Sequence, residues 1–434
     1  MAPPMTEREW LARLEWFGIK LGLDTIGELT AALGHPERAY PVVHVAGANG
    51  KGSVVAMIER ALRASNLRTG RYTSPHLVHL EERFAVDGRP VEPAELDRAL
   101  AVVHGVADAR ASAHPELPEP TYFEVTTAAA FEIFRSRHVD VAVVEVGLGG
   151  RFDATNVVLP MLSVITSIDF DHEAHLGTTL AAIAAEKAGI IKPFVPVVAG
   201  SLAGEALEIV EQTAGRVQAP LHQAARECAV QSRATGDGRR EARFETPRSS
   251  YGPVTLSLRG AHQVDNAGVA VVALEYLAAA GIPLDRGAIV TGLADAHWPG
   301  RLQRVTIGER AVIVDGAHNP SGARALADYL RETHESGLPI VFGVMADKAI
   351  DPMIEALAPF ARPLVVTAPP GRRATPAAEL AARAARAMPP ERVIAEPDVD
   401  RALEIAWGHG REIVVAGSLY LAGDVLARLA SLDR

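Results

Sequence analysis

The sequence predicts an α/β protein in which a P-loop-type domain, built on a mainly parallel sheet, is followed by a smaller Rossmann-like α/β domain. Three observations predict this class. Short apolar runs alternate with segments of helical periodicity, which favours a parallel sheet covered by helices. A glycine-rich turn lies between the first such strand and its helix. A chain of 434 residues is also too long for one ordinary core, so two domains are expected.

The larger predicted domain covers residues 1–297. Residues 42–45 form its first strand candidate, and apolar residues after position 53 recur at the spacing of an amphipathic helix. Further strand candidates lie at 141–146, 162–168, 196–199 and 255–258, and helical patterns separate most of them. The polar stretch 233–250 is rich in Arg, Gly and Thr, and we interpret it as a surface excursion.

The smaller domain is predicted over residues 298–434. Proline and glycine interrupt the pattern at residues 298–301 (WPGR), which is typical of a short linker. Beyond it, strands and helices alternate again. The strand candidates are 311–314, 340–344, 364–367 and 412–416, with helical patterns at 322–333, 352–357 and 377–387. This length is ordinary for one α/β domain.

Composition argues against several classes of protein. Apolar residues make up 48% and charged residues 22%, as in a folded globular chain. A net charge of -10 without a long basic run argues against a nucleic-acid or membrane-surface partner. The single cysteine, Cys228, cannot form an internal disulfide, and the first residues lack a secretory signal pattern. We therefore expect a cytoplasmic protein whose partners are small molecules.

The strongest local motif is the turn at residues 47–53 (GANGKGS). Glycines let successive backbone N–H groups point at phosphate oxygens, the lysine adds positive charge, and a serine hydroxyl can bind Mg²⁺. The spacing departs from the common G-x-x-x-x-G-K-[ST] loop because Gly52 stands before Ser53. A solvent-exposed turn is the alternative, but the strand–loop–helix context favours a phosphate site. No Asn-Lys-x-Asp guanine motif follows, so a GTPase is not indicated.

Two further polar side chains follow predicted strands of the larger domain. Glu145 ends one apolar run, and His172 lies just beyond another. Because the carboxyl ends of parallel strands share one edge, both are expected beside the phosphate turn, where a carboxylate can hold Mg²⁺. Lys187, by contrast, has the pattern of an ordinary solvated lysine near a helix C-terminus.

The smaller domain has a polar pair after its first strand. Asp315 directly follows the run 311–314, and His318 comes three residues later. The two side chains either point into a crevice or form a local turn before a helix that begins near Pro320. The residues alone leave both interpretations open.

Taken together, these segments resemble the folylpolyglutamate synthase/dihydrofolate synthase family of the Mur ligase superfamily, in its bifunctional bacterial form. The matching motifs follow the family order and are residues 45–53 (VAGANGKGS), 72–77 (YTSPHL), 121–124 (TYFE), 145–156 (EVGLGGRFDATN), 171–177 (DHEAHLG), 186–189 (EKAG), 262–267 (HQVDNA), 298–301 (WPGR) and 315–320 (DGAHNP). Two departures stand out. Ala48 occupies a position where the family usually has threonine, and His175 is unfamiliar, so only His172 is carried over.

The resemblance implies a role for each matching residue. ATP would be bound by Asn49, Gly50, Lys51, Gly52, Ser53, Asn266, Arg301, Asp315 and His318. Two Mg²⁺ sites would be served by Ser53, Ser74, Glu145 and His172, and Lys187 would be carbamylated. Folate or dihydropteroate would contact Thr121, Tyr122, Phe123 and Asp153, with Gly22 and Leu23 as lid residues. Ser418 would hold the incoming glutamate.

The implied reaction is ATP-dependent amide formation, in which a folate or dihydropteroate carboxylate is phosphorylated and the amine of glutamate displaces the phosphate. Two other functions remain as alternatives. A Mur-type cell-wall ligase uses the same chemistry but usually carries a further N-terminal domain, which we do not expect here because the turn begins at residue 47. A non-catalytic ATP-binding protein would not need Glu145, His172, Lys187 and Asp315 together. The sequence does not determine whether one or both synthase activities occur, nor the preferred folate form, nor the oligomeric state, for which we expect a monomer.

Overall fold

The computed structural model of the chain describes residues 5–15, 20–371 and 373–432. Its largest sheet is formed by β1 (Val42–Ala46), β2 (Thr69–Tyr72), β3 (Phe84–Val86), β4 (Arg89–Pro90), β5 (Val141–Glu145), β6 (Leu162–Ile165), β7 (Val197–Ala199) and β8 (Leu221–Gln223). The strands are ordered β4-β3-β2-β5-β1-β6-β7-β8. The strands from β2 to β8 in this order are parallel, and β3 pairs antiparallel with both β2 and β4. The predicted mainly parallel sheet is confirmed.

Helices cover both faces of this sheet. They are α1 (Glu7–Leu14), α2 (Asp24–Ala32), α3 (Lys51–Ala64), α4 (Pro93–Ala113), α5 (Tyr122–Ser136), α6 (Glu173–Leu176), α7 (Leu180–Ala188), α8 (Gly204–Arg216), α9 (Ala224–Glu227), α10 (His262–Ala279) and α11 (Arg286–Ala294). Alternate residues of β5 belong to two different cores. Val141 and Val143 pack with α3 and α10, whereas Ala142 and Val144 pack with α4 and α5. A strand buried on both faces in this way needs a continuous apolar run.

A three-stranded antiparallel sheet replaces the predicted surface excursion. It consists of β9 (Ala229–Ala234), β10 (Arg240–Glu245) and β11 (Ser250–Thr255). The prediction for 233–250 was wrong because charged residues on the outer face of β10 hide an alternation in which Ala242 and Phe244 are buried. The strand predicted at 255–258 was also wrong, since β11 ends at Thr255.

The second α/β unit is built on a six-stranded sheet. Its strands are β12 (Gln303–Ile307), β13 (Arg310–Val314), β14 (Leu338–Phe342), β15 (Ala361–Val366), β16 (Val393–Ala395) and β17 (Glu412–Ala416), in the order β12-β13-β17-β14-β15-β16. Among the described strands of this sheet, only β12 is antiparallel to its neighbour. The helices are α12 (Pro320–Thr333), α13 (Ile350–Leu357), α14 (Ala377–Ala384), α15 (Val399–His409) and α16 (Leu419–Leu432). Short 3₁₀ helices lie at Pro36–Arg38, Leu80–Arg83, Ala154–Val157 and Pro390–Arg392.

We propose that the domain boundary lies between residues 297 and 298. Strand membership supports this division, since β1–β11 precede it and the sheet that begins with β12 follows it. The outer bounds of the two domains, residues 1–4 and 433–434, lie outside the described residues. Across the part of the chain that the structure describes, none of the helices is long and apolar enough to cross a membrane.

Candidate functional site

A cleft of about 440 Å³ is lined by loops that follow β1, β5 and β6 of the large sheet and β13 of the second sheet. The carboxyl ends of parallel strands are where open α/β sheets bind ligands. The predicted residues that line this cleft are Asn49, Gly50, Lys51, Gly52, Ser53, Ser74, Glu145, His172, Lys187, Asn266, Arg301, Asp315 and His318. One cleft is therefore surrounded by residues that are far apart in the sequence. They include the expected phosphate-binding residues, the expected metal ligands and residues of the second domain.

The glycine-rich turn is fixed by the residues that follow β6. The Ser167 hydroxyl accepts from Asn49 N at 2.9 Å, and Thr166 Oγ1 donates to Asn49 O at 2.6 Å. Gly50 precedes α3 with a φ of 82°, a left-handed conformation that favours glycine. The N-cap residue of α3 is Gly50 itself, which has no side chain to cap the helix. The first N–H groups of α3 therefore remain free to bind an anion.

Lys51 is the first residue of α3, and its ammonium reaches back over the turn. Nζ donates to Gly47 O at 2.9 Å and to Ala48 O at 3.3 Å. This geometry puts a full positive charge beside the positive end of the helix dipole. The turn is thus shaped and charged for a phosphate group.

Gly52, in the glycine-rich turn, packs closely against Trp298 of the linker at residues 298–301. A Cβ at this position would lie 2.4 Å from Nε1 of Trp298. We expect Gly52→Ala to displace either the turn or the indole and to lower kcat/KM about 5- to 150-fold, because overpacking of this kind costs about 1–3 kcal/mol. Steady-state kinetics would measure the loss.

Gly105 offers a matched control for this substitution. It lies in the middle of α4, and a Cβ there meets nothing within 4 Å. Gly105→Ala should leave kinetics unchanged and stabilise the protein by up to about 1 kcal/mol through helix propensity. Equal kinetic effects of the two alanines would show that contact with Trp298 is not the cause.

Glu145, the last residue of β5, is 5% exposed and lies at the floor of the cleft. Burial raises its pKa, although the nearby Lys51 ammonium and the Ser74 N–H, 3.4 Å from Oε2, act in the opposite direction. A buried carboxylate of this kind gains from a bound cation. Together with the hydroxyls of Ser53 and Ser74 it offers the oxygen ligands that Mg²⁺ prefers.

His172 lies across the cleft at the start of α6, with a φ of 53°. Burial lowers its pKa to about 4 despite the neighbouring Asp171 carboxylate, so the ring is neutral at pH 7, as metal binding requires. Among the residues that the structure describes, no group of three or more His, Cys, Asp or Glu side chains is placed to hold a metal ion. A cation here would therefore depend on the serine hydroxyls and on the oxygens of a bound ligand as well.

Lys187 is not the solvated lysine that its periodicity indicates. It is 3% exposed and lines the cleft. Its helix, α7, buries Ile183, Ala184 and Ala188 together with Lys187, so one face of the helix is turned inward. Burial, followed by the charge of Lys51, lowers the pKa of Lys187 to about 7. The structure thus places inside the cleft an amine that is about half neutral at pH 7.

Asp315 and His318 both form a local turn and face the cleft, which are the two arrangements that the sequence left open. The Asp315 carboxylate accepts from the backbone N–H groups of Leu302 and Ala317, each at 2.9 Å, and so stabilises its own turn. His318 Nδ1 lies 2.9 Å from Gly316 O. Both side chains nevertheless line the cleft, together with Arg301.

Asp171 connects the two sheets at the cleft, a contact that sequence reasoning missed. Lys348 Nζ donates to Oδ1 at 2.8 Å, and His318 Nε2 lies 3.7 Å from Oδ2. Burial raises the pKa of Asp171, but the neighbouring side chains of His318, His172 and Lys348 outweigh burial and lower it below the usual range. Asn319 also donates to Asn49 Oδ1 at 3.1 Å. No local pattern could have identified partners so distant in the sequence.

The residues expected at the folate side form a separate group around the loop after β5. Thr121 caps α5 through reciprocal hydrogen bonds with Glu124, and the ring of Phe123 covers Gly147. Asp153 accepts from Leu148 N at 2.8 Å, and Gly22 N donates to Phe152 O at 3.4 Å.

These expected folate-side residues, all within the described chain, do not line the cleft. Tyr122 begins α5, where Arg83 lies 5.2 Å from its ring. Leu23 immediately precedes α2 and packs on the adjacent core. Burial raises the pKa of Asp153 despite its hydrogen bonds. Their role in binding folate stays a prediction.

Ser418, the expected glutamate ligand, is 2% exposed and stands outside the lining of the cleft. Its Oγ accepts from Tyr420 N at 3.1 Å and so caps the start of α16. The next residue, Leu419, does line the cleft. A role for Ser418 in holding glutamate also stays a prediction.

Two segments of the chain match known domain families. Residues 45–274 match the Mur ligase middle domain, and residues 300–419 match the Mur ligase glutamate ligase domain. A dihydrofolate synthase/folylpolyglutamate synthase from Bacillus subtilis is 36% identical over 427 residues, which cover 97% of this chain and 98% of that protein.

Solved structures are similar over nearly the whole chain. A Mycobacterium tuberculosis folylpolyglutamate synthase complexed with ADP superposes with a TM-score of 0.91 at 34% identity, over 98% of this chain and 99% of that one. An E. coli FolC chain in complex with DHPP and ADP gives a TM-score of 0.87 at 28% identity, over 99% of each chain.

Proposed function

The chain belongs to the dihydrofolate synthase/folylpolyglutamate synthase family of Mur ligases, and we propose that it adds glutamate to both dihydropteroate and tetrahydrofolate. It is an ATP-dependent acid–amino-acid ligase. The observation that carries the proposal is the cleft itself, where Lys51 and the phosphate turn face Arg301, Asp315 and His318. Two anionic substrates repel each other, so a ligase must surround them with positive groups and hold them in position.

We propose that ATP, the co-substrate, places its phosphates on the turn formed by Asn49, Gly50, Lys51, Gly52 and Ser53. Asn266 supports this turn, since a Cβ on Gly50 would lie 2.3 Å from its Oδ1. Arg301, Asp315 and His318 would contact the nucleotide from the second sheet. ATP would thereby be held by both halves of the molecule.

The reaction then takes two displacements. A substrate carboxylate oxygen attacks the γ-phosphorus, the bond to the β-phosphate oxygen breaks, and ADP leaves with its electron pair. The amine of glutamate attacks the carbonyl carbon of the acyl phosphate, phosphate leaves, and the nitrogen loses a proton. Lys51 and the start of α3 stabilise the charge that accumulates during the first step. Contacts between the two sheets, such as Asp171 with Lys348, help to keep water from the acyl phosphate.

We also propose that Mg²⁺ binds in this cleft at two sites formed from Ser53, Ser74, Glu145 and His172. The donor set fits, since it comprises two hydroxyls, a carboxylate and an imidazole whose lowered pKa keeps it neutral. Bound Mg²⁺ would neutralise charge between the carboxylate and the γ-phosphate. Ser74 N–H already orients the Glu145 carboxylate for this role.

Lys187 is proposed to carry CO₂ as a carbamate. Carbamate formation requires the neutral amine, and burial provides it by lowering the pKa to about 7. The modification would replace an ammonium, which repels Mg²⁺, by two anionic oxygens that can bind it. Its position on the buried face of α7 directs it into the cleft.

Bifunctionality is tested by comparing two substrates that can accept glutamate. We expect glutamate-dependent ADP release with dihydropteroate and, separately, with tetrahydrofolate monoglutamate, because the relative from Bacillus subtilis carries both synthase names. The measurement is coupled ADP release, with mass spectrometry of the glutamylated product. Turnover of the reduced folate without turnover of dihydropteroate would assign only the polyglutamylase activity.

The same assay separates the alternatives. A non-catalytic nucleotide-binding protein would release no ADP with either acceptor, and a cell-wall ligase would require a nucleotide-sugar peptide instead. The names of the full-length relatives support the folate assignment over both. The monomeric state and the cytoplasmic location stay predictions, which size-exclusion chromatography with light scattering and cell fractionation would test.

A further inference from the structure

A second cavity, of about 310 Å³, adjoins the ATP cleft on the side of β2 and α3. The two cavities share the residues Gly52, Ser74, Pro75, Glu145, Arg301 and Leu419. Beyond these, the second cavity is lined by α3, by the segment after β2 and by the interdomain linker at 297–299. Its size is at the lower end of the range for small-molecule sites.

Arginine side chains form one wall of the second cavity. Arg60 and Arg63 project from α3, and Arg71 projects from β2. The Nε of Arg71 is buried and has no hydrogen-bond partner within the described residues. Burial lowers the pKa of Arg71, and its guanidinium lies 5.1 Å from the ring centroid of Trp298. A buried donor without a partner costs free energy, which a bound acceptor would recover.

Besides Glu145, which also faces the first cavity, the second cavity is lined by Glu59 and Glu82, and both already accept hydrogen bonds. Glu82 accepts from the backbone N–H groups of residues 77–79 at 2.8 to 3.0 Å. Glu59 accepts from Thr69 Oγ1 at 2.7 Å and from Arg63 Nε at 3.2 Å. His76 is neutral at pH 7, since burial lowers its pKa to about 4. Arg63 is paired with Glu59, and Arg60 donates to Asp295 at 2.9 Å. Within the described residues, the buried Nε of Arg71 is therefore the wall donor that a bound anion would satisfy.

We propose that Arg71 and Arg63 form a subsite for a substrate carboxylate other than the one that is phosphorylated. The inference rests on the proposed ligase function. Because Ser74 and Glu145 line both cavities, a ligand in the second cavity lies next to the reacting end of a ligand in the first. A planar guanidinium matches a carboxylate in shape and charge.

Two substrates can supply this carboxylate. One is the α-carboxylate of the last glutamate on a folate acceptor, and the other belongs to the incoming glutamate. Dihydropteroate distinguishes them, since its only carboxylate is the reacting one. If the subsite binds the acceptor's α-carboxylate, it contributes only when a folate is the acceptor. If it binds the incoming glutamate, it contributes with dihydropteroate and with folates alike.

The experiment compares wild type with Arg71→Lys and Arg63→Ala, using dihydropteroate or tetrahydrofolate monoglutamate as acceptor and glutamate as the varied substrate. Loss of a hydrogen bond to a charged group should raise the affected KM about 10- to 100-fold, with kcat changed less. A rise in the KM for the folate alone assigns the acceptor's α-carboxylate. A rise in the KM for glutamate with both acceptors assigns the incoming amino acid.

Arg98→Ala, at an exposed position on α4, is the matched control for loss of an arginine. Arg71→Lys keeps the positive charge but not the guanidinium, and thermal unfolding of each variant checks the fold. KM values that stay unchanged in folded variants would overturn the subsite, as would a fall in kcat with no change in any KM. An inactive wild type would instead contradict the proposed function.

Discussion

Lys51→Ala should lower kcat at least about 100-fold, the usual loss when one group that stabilises transition-state charge is removed. The ammonium lies over the phosphate turn, and no other lysine but Lys187 lines the cleft among the described residues. Its hydrogen bonds are to Gly47 O and Ala48 O, at the surface of the turn and not in the apolar core. The fold should therefore survive the substitution. Coupled ADP release measures kcat, and circular dichroism checks the fold.

Lys20→Ala is the matched control for Lys51→Ala. Lys20 is exposed, and within the described residues its ammonium donates to Thr25 Oγ1 at 3.3 Å. This variant should keep wild-type kcat. A folded Lys51→Ala enzyme with kcat close to that of Lys20→Ala would refute the assignment of the turn to ATP.

Lys187→Ala should abolish ligation, and a short-chain carboxylic acid such as acetate or propionate should restore part of it. The alanine removes the proposed carbamate, and a small carboxylate can enter the space and supply the missing oxygens. The fold should tolerate the change. A lysine whose pKa falls from 10.5 to about 7 on folding destabilises the folded state below pH 10.5, and the full penalty is present below about pH 7. Thermal stability in CO₂-free buffer at pH 7 should therefore not fall.

The pH dependence gives an independent measurement on the unmodified chain. With a pKa of about 7, the Lys187 amine is mostly protonated at pH 6 and mostly neutral at pH 8. Reactivation of CO₂-depleted enzyme at a fixed concentration of dissolved CO₂ should therefore increase between these values.

Lys192→Ala controls for loss of a partly buried lysine outside the cleft. Its ammonium donates to Asn156 O at 2.9 Å, and burial also lowers its pKa. Added carboxylates should not affect its activity. Lys187→Ala that remains active without added acid would refute the carbamate.

Local sequence was sufficient to predict the strands that bury apolar residues on both faces. The runs that became β1, β5 and β13 were predicted because a doubly buried strand requires continuous apolar residues. Local sequence was insufficient to predict a strand with one exposed face. The charged outer face of β10 resembled a surface loop, and only pairing with β9 and β11 made it a strand.

The same contrast applies to the candidate site. Gly50, Lys51 and Ser53 were identified from spacing, since a phosphate turn is a local device between one strand and one helix. The resemblance to the family supplied roles for residues such as Lys187, whose own pattern indicated an exposed lysine. The burial of Lys187 depends on how α7 packs against the rest of the protein, and the four-residue motif at 186–189 does not determine that packing.

The sequence by itself therefore determined the α/β class, the glycine-rich turn between strand and helix, and the family, because each depends on short segments whose order is preserved along the chain. Only the tertiary structure decided that Asp171 pairs with Lys348, that Lys187 has a lowered pKa, and that Arg71 lies buried beside a second cavity. Those properties arise from desolvation and from charges brought together across the fold. Both depend on distances between residues that the order of amino acids does not specify.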